Sequence, residues 1–187
     1  RLVVSLFGSD VYRASGFLKP LQSRLLKRAE KITASNQDTL DAAHRTYSFA
    51  EDSCAIVRFG LRPLEHIERL RALGDRSIHK HAMAIPEDRV VIAAGYNASP
   101  HQHHAEIIDA LGALPSDLRA RLFVVVPMTM GGTPEYKAGV RAMLEGKGLE
   151  HRVFADLLTD EDIARFRLAT DIMIQVQPTD QLAGAMQ

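Results

Sequence analysis

Seven short apolar runs recur along the chain, and between most of them apolar residues return every three or four positions. The runs are LVVSLFG (2–8), KITAS (31–35), CAIVRFG (54–60), RVVIAAG (89–95), RLFVVVPM (121–128), HRVFADL (151–157) and DIMIQVQ (171–177). Short apolar runs bounded by turn residues predict strands, and those at 89–95 and 121–128 are apolar throughout, as strands covered on both faces are. Helical spacing appears five times. Residues 22–30 place Leu25 and Leu26 beside Ala29, and 65–73 place Ile67, Leu70 and Leu73 on one face. Residues 105–114 stripe Ile107, Ile108, Leu111 and Leu114, and 160–170 give Ile163, Phe166 and Leu168. Residues 135–148 stripe Ala138, Val140, Met143 and Leu144 and end at Gly146 and Gly148. Strands alternating with amphipathic helices predict an α/β fold with a parallel sheet.

The regular alternation breaks once. Residues 71–89 are polar, with a glycine, a proline and many charges, so a boundary is expected within 60–88. The division that follows is 1–60, a linker region over 61–88, and a regular βαβαβαβ succession over 89–187.

Composition narrows the function classes. The chain has 187 residues, 46% hydrophobic and 25% charged, in the ordinary range for a globular protein, and without Trp its core must be aliphatic. Basic and acidic residues balance at 23 each, so bulk charge gives no pull toward nucleic acid, and none is expected as a partner. Cys54 is the only cysteine, which excludes an internal disulfide and cysteine-based zinc spacings and fits a reducing compartment. No apolar run approaches the roughly 20 residues of a membrane helix, and no signal-peptide pattern is visible. Both ends read as the inside of a larger protein: Arg1 leads straight into a strand, and TDQLAGAMQ reads as a helix cut short.

The densest candidate chemistry is GYNASPHQHH, residues 95–104. Ser99, Pro100 and Gln102 make a capping box with proline at the first helical position, so a helix is expected to begin at Ser99 or Pro100. The loop from Gly95 is then a strand-to-helix turn at the carboxyl end of a parallel strand, where ligands of open α/β sheets bind. Unpaired N–H groups at such a helix start favour phosphate. Gly95 permits the tight turn, while Tyr96, Asn97 and Ser99 supply polar side chains. The three histidines raise a metal site as the rival reading. That needs a third ligand from His79, His81 or Asp156, and zinc requires three or four in fixed geometry. No metal is therefore expected. His101 is either phosphate-facing or a capping or surface residue, His104 is expected to lean toward the sheet, and His103 to face away.

Other loops on the same edge carry weaker signals. VVVPMTMGGTP (124–134) contains Pro127, Met128, Gly131 and Gly132 before a Thr-Pro helix start; the glycines either admit a ligand closely or only shape a turn. FADLLTDED (154–162) offers Thr159 as a cap. In VQPTDQLAGAMQ (176–187), Asp180 could accept sugar hydroxyls or cap a helix, with Thr179 beside it. Near the start, Gly8, Ser9 and Asp10 end the first strand; Asp10 is either a general base or hydroxyl ligand, or the residue of an Asx turn. No G-x-G-x-x-G and no P-loop occurs. EGKG (145–148) sits at a helix end and reads as a C-cap.

These pieces, in this order, resemble GT-B glycosyltransferases of the retaining, family 4 type. LFGSDVYR resembles the G-S-D turn late in the acceptor-side domain, and RAEKITASNQDTLDAA the helix and strand after it. CAIVRFGLRPLEHI resembles the passage into the second domain, and IPEDRVVIAAGYNASPHQHHAEIIDAL that domain's first strand and phosphate loop. ATDIMIQVQPTDQLAGAMQ resembles the donor-sugar segment, and VVPMTMGGTPEY is similar to bacterial transferases that move acetamido-fucose onto lipid carriers.

The resemblance implies two Rossmann-like domains, each a parallel sheet flanked by helices, with a cleft between them. Residues 1–60 would be a remnant of the acceptor-side N-terminal domain and 89–187 the nucleotide-sugar-binding C-terminal domain, cut short at its end. The function implied is transfer of a hexosyl-type sugar from a nucleotide-sugar donor to a glycan or lipid-linked acceptor in cell-surface polysaccharide synthesis. It would proceed without metal or other cofactor, the fragment being inactive alone. The implied donor side is Gly95, Tyr96, Asn97, Ser99, His101, Pro127, Met128, Leu157 and Thr179; the acceptor side is Gly8 and Ser9, with Asp10 and Asp180 as catalytic candidates. A cytoplasmic location at the inner face of the membrane, with peripheral association of the full-length protein, is implied as well.

The sequence also departs from that family. The donor loop's usual Arg and Lys are not evident after Gly95, the first acid of E-x7-E stands as Asp180, and its second would fall past residue 187. Two other classes therefore compete: a non-catalytic nucleotide- or phospho-ligand-binding α/β module, and an interaction scaffold whose strand-end loops are filled by its own side chains.

Overall fold

The structure is a computed structural model and describes residues 1–58 and 62–176. Within these residues the chain forms two compact units, 1–58 and 62–176.

The first unit is a three-stranded parallel sheet in the order β1-β2-β3, with β1 at Val3–Leu6, β2 at Lys31–Ala34 and β3 at Cys54–Ile56. Its helices are α1 (Gly8–Tyr12), α2 (Lys19–Arg28) and α3 (Gln37–Thr46). Leu6, Val11, Leu26, Ile32, Leu40, Ala43 and Tyr47 form one apolar cluster. α3 lies outside the five stripes; Asn36 starts it by accepting the Thr39 N–H at 2.8 Å, and its inward face is Leu40, Ala42 and Ala43. The Gly8-Ser9-Asp10 stretch, expected as a turn, is the first turn of α1. The Asp10 carboxylate reaches back to accept the Phe7 N–H at 2.9 Å, which turns a loop signal into a helix start.

The second unit holds α4 (Pro63–Arg71), α5 (Arg76–Ala82), β4 (Val90–Ala94), α6 (His104–Gly112), α7 (Ser116–Arg119), β5 (Leu122–Pro127), α8 (Pro134–Gly146), β6 (His151–Phe154), α9 (Asp160–Ala169) and β7 (Ile172–Ile174). All four strands are parallel, in the order β6-β5-β4-β7. Successive residues of a strand face opposite sides, so β4 and β5 feed two cores. Ile92, Ala94, Val124 and Val126 pack with Ile107, Ile108, Leu111, Val140 and Leu144 of α6 and α8. On the other face Val91, Ala93, Phe123 and Val125 pack with Phe154, Phe166, Ala169, Met83 and Ile85. Each fully buried branched side chain contributes about 2 kcal/mol of gross transfer energy, which explains why these strands carry no polar position.

The stretch 61–88, expected as a linker, is corrected over its described part. Residues 62–88 carry α4 and α5, and both helices pack on α9 of the second unit. The charges that suggested a solvated linker are instead partners: Arg62 pairs with Asp160 at 2.8 Å and Arg69 with Glu161 at 2.7 Å. The buried Lys80 ammonium donates to the Arg89 carbonyl at 2.7 Å and lies 3.3 Å from Asp171, which also pairs with Arg76. Burial alone would raise the Asp171 carboxyl; the Val91 N–H, Lys80 and Arg76 outweigh it and hold it below the usual range.

Candidate functional site

Strand order locates the site before any side chain is considered. From β4 the chain moves outward through β5 to β6, then β7 is laid on the opposite side of β4. The switch point therefore lies between the carboxyl ends of β4 and β7, where the Gly95 N–H donates to the Ile174 carbonyl at 3.0 Å.

Gly95 has φ +66°, and a Cβ there would stand 2.9 Å from His104 Nε2 and 3.0 Å from Gln102 Oε1. Only glycine allows the turn to press so closely on those two buried side chains. Beyond it, Gln102 Oε1 accepts the Tyr96 N–H at 3.2 Å, Asn97 Oδ1 accepts the Ser99 N–H at 2.8 Å, and Ser99 Oγ accepts the His101 N–H at 3.3 Å. The single helix expected from Ser99 is thus two pieces. A 3-10 turn spans Pro100–Gln102, His103 breaks it in the left-handed region at φ +55°, and α6 begins at His104. Asn97 already occupies the Ser99 N–H that Gln102 was expected to cap. The N–H groups of Gly95, Tyr96, Ser99 and His101, expected to aim at an anion, are paired within the protein. At the start of α6, Glu106 supplies a carboxylate, held below its usual range by the His103 ring and its own backbone N–H.

A second loop is tied to this one. The Ala98 N–H donates to the Met130 carbonyl at 2.7 Å, and Gly132, at φ +65°, lies so close that a Cβ would be 2.5 Å from the Ala98 oxygen. Behind both loops, His104 is fully buried and its Nδ1 lies 2.9 Å from the Tyr136 hydroxyl. Thr133 fixes Tyr136 in turn by capping α8, its Oγ1 accepting the Tyr136 N–H at 3.2 Å. Among the described residues, His104 Nε2 and Gln102 Nε2 are buried without a partner. Burial lowers the His104 imidazole to about 4, so it is neutral at ordinary pH; burial, then the Glu106 charge, raise the Tyr136 hydroxyl.

The three histidines go three ways: His101 is exposed, His103 pairs with Glu106 at 3.0 Å, and His104 is in the core. Among the described residues no group of three or more His, Cys, Asp or Glu is gathered as metal ligands.

Of the other expected site residues, Pro127 ends β5 and is buried, and Met128 is wholly buried in the core. Leu157 is 78% exposed on the loop after β6. Gly8, Ser9 and Asp10 lie in the first unit, and Thr179 and Asp180 lie outside the described residues. The structure thus brings together Gly95, Tyr96, Asn97 and Ser99, and adds Gln102, His104, Gly132 and Tyr136. A signal for His104 and Tyr136 was legible: Thr133-Pro134 sets Tyr136 in the first turn of α8, and His104 shares a face with Ile107 and Ile108.

No protein-family model matches the sequence, and no curated protein does. Solved structures do match. A glycosyltransferase from Rickettsia africae is 13% identical with TM-score 0.67, over 94% of this chain and 45% of its own. WaaG, a glycosyltransferase involved in lipopolysaccharide biosynthesis, is 16% identical with TM-score 0.68, over 94% of this chain and 50% of its own. A UDP-forming α,α-trehalose-phosphate synthase from Burkholderia xenovorans is 16% identical with TM-score 0.58, over 90% of this chain and 45% of its own. The chain therefore spans about half the length of the proteins it matches. Parallel sheets flanked by helices, together with this likeness to solved structures, give the chain the GT-B glycosyltransferase fold.

Proposed function

We propose that the protein acts as a retaining, hexosyltransferase-type enzyme. In this reading it moves a sugar from a nucleotide-sugar donor to a glycan or lipid-linked acceptor in cell-surface polysaccharide synthesis. One observation carries the reading: the switch point between β4 and β7 is bordered by two glycine loops locked to each other, in a fold shared with the glycosyltransferases described above. A preformed pair of loops of that kind receives a nucleotide without ordering its backbone at the moment of binding. In this reading Gly95, Tyr96, Asn97, Ser99 and His101 border the diphosphate, with Leu157 and Thr179 completing the donor side and Pro127 and Met128 supporting it from the core. Asp180 stands where the donor-side acid belongs. Gly8, Ser9 and Asp10 mark the acceptor side, although Asp10 has a capping duty there. WaaG's role in lipopolysaccharide biosynthesis supports the surface-polysaccharide setting.

Titration calorimetry of the chain with UDP, GDP and dTDP tests the donor half. One nucleotide is expected to bind, and more weakly to His101→Ala. No binding to any of them, with no turnover of a nucleotide sugar by the full-length protein, would overturn the reading.

A second reading is favoured by one specific observation. The loop's N–H groups already have partners, as in a non-catalytic binding module or a scaffold whose loops are filled by its own side chains. Nucleotide binding by the full-length protein without turnover would select the module; turnover would exclude it.

A further inference from the structure

Among the described residues β6 ends its sheet: β5 pairs with one side of it and nothing pairs with the other. Which backbone groups are left over follows from the ladder. The Glu150 carbonyl accepts the Val124 N–H at 2.8 Å and the Phe154 carbonyl the Met128 N–H at 2.8 Å. Residues 150, 152 and 154 therefore turn toward β5, and His151, Val153 and Ala155 turn their backbone groups outward. Two common ways of blunting such an edge are missing. β6 reads HRVF, with no proline, and its register with β5 runs without a bulge. Arg152 is folded back, its guanidinium 4.8 Å from the centre of the Phe154 ring and bonded to the Met83 carbonyl. Beside the edge, between β6 and α8, lies a groove of about 320 Å³ whose lining includes Lys137, Ala138, Arg141, Ala142, Glu145 and Val153. Ala138 and Ala142 are exposed there, and Lys137, Arg141 and Glu145 make no ion pair among the described residues.

We infer that the protein forms a two-fold dimer through β6 and α8, the sheets of two second units joining into one. Edges related by a two-fold axis meet antiparallel. With Val153 on the axis, it exchanges both backbone bonds with the second copy's Val153, and His151 faces the second copy's Ala155. Neighbouring strands lie about 4.8 Å apart. Because α8 packs on β5 and borders β6, the two α8 helices then come about 10 Å apart, the distance at which helices pack. Ala138 and Ala142 are small enough to admit that contact. The charges obey the same axis. As the link between parallel strands, α8 runs antiparallel to β6. Eight residues of helix rise about 12 Å and four of strand about 13 Å, so Lys137 stands level with Ala155, Arg141 with Val153 and Glu145 with His151. Lys137 therefore meets the second copy's Glu145 at both ends, and only the two Arg141 meet as like charges. A foreign strand would pair β6 but leave the Ala138–Ala142 face of α8 open, whereas a second copy covers both. The inference does not depend on the donor reading.

Analytical ultracentrifugation of the full chain is the test. A concentration-dependent dimer is expected below about 100 µM. Lys137→Glu and Glu145→Lys each put like charges at both ends of the contact and are each expected to weaken the dimer about tenfold. An equimolar mixture of these two variants should restore it, and so should the double variant, because the axis again sets opposite charges together. That rescue is a readout that a loss of folding would not give. Ala142→Glu and Val153→Pro are expected to weaken the dimer as well, with circular dichroism unchanged, since both act on groups that face outward. A chain of monomer mass at every concentration up to that limit overturns the inference. So does a dimer that both charge variants leave intact, or a mixture of them that stays monomeric. A monomer that instead binds a synthetic acidic strand-forming peptide, with binding lost in Val153→Pro, gives the edge to a foreign chain and overturns it too.

Discussion

The two sheets use the same kind of strand and end in different states. Every residue of β5 is buried, whereas in β1 only Leu6 is. In the second unit helices cover both faces, giving two apolar clusters; in the first unit the described residues form one. Apolar character alone therefore does not bury a parallel strand; the helices laid on it do. Where both faces are covered, the strand ends are held by packing on two sides, and the loops leaving them start from fixed points.

The largest effect that should follow this contrast is in packing. Leu144→Ala, in the α8 core, is expected to cost about 4 kcal/mol, against about 0.5 kcal/mol or less for the exposed Leu25→Ala. Calorimetric melts of both variants measure this, and equal losses would break the comparison. Next is acid sensitivity. His104 is lowered from 6.5 to about 4, so as pH falls the unfolded chain takes up the proton first. The stability it confers is complete above about pH 6.5 and drains away toward pH 4, by about 3 kcal/mol. His79, buried and also lowered by the nearby Arg165, acts in the same direction. The loss should appear in the second unit's transition and be smaller in His104→Gln; a pH-independent transition between 6.5 and 4 would contradict it.

Smaller effects sharpen the comparison at the loops. Gly132→Ala forces a side chain into the left-handed region and against the Ala98 carbonyl, and should cost about 2 kcal/mol and weaken nucleotide binding. Unaltered stability would mean the two loops are not locked. The caps come last: Thr159→Ala in α9 and Asp10→Ala in α1 should each cost about 1 kcal/mol, because Thr159 and Asp162 cap each other's N–H groups and the Asp10 carboxylate caps the Phe7 N–H. If Asp10→Ala instead abolished transfer by the full-length protein at unchanged stability, Asp10 would be catalytic as well as a cap.

All seven strands were legible as short, largely apolar runs bounded by turn residues, and β4 and β5, covered on both faces, are apolar throughout. The five striped helices were legible because one face of each packs on a core. α5 was not: its buried residues are His79 and Lys80, which no apolar periodicity marks, and its stability comes from α9 and Asp171, far along the chain. The Ser99 region shows a different limit. Capping residues announce that a helix starts, but which N–H each side chain takes is decided by competition, and Asn97 and Tyr96 changed the outcome. Likewise the closeness of Gly132 to Ala98 depends on two loops far apart in sequence, and neither loop alone predicts it.

That closeness has a practical side. The bond from Ala98 N–H to the Met130 carbonyl uses backbone atoms only, so it sets no condition on most side chains in either loop. The loops after β4 and β5 can therefore be exchanged for others as a matched pair, with the glycine kept. Grafting one of them alone would leave its mate without a template. For anyone re-engineering what this edge of the sheet recognises, the unit of inheritance is the pair.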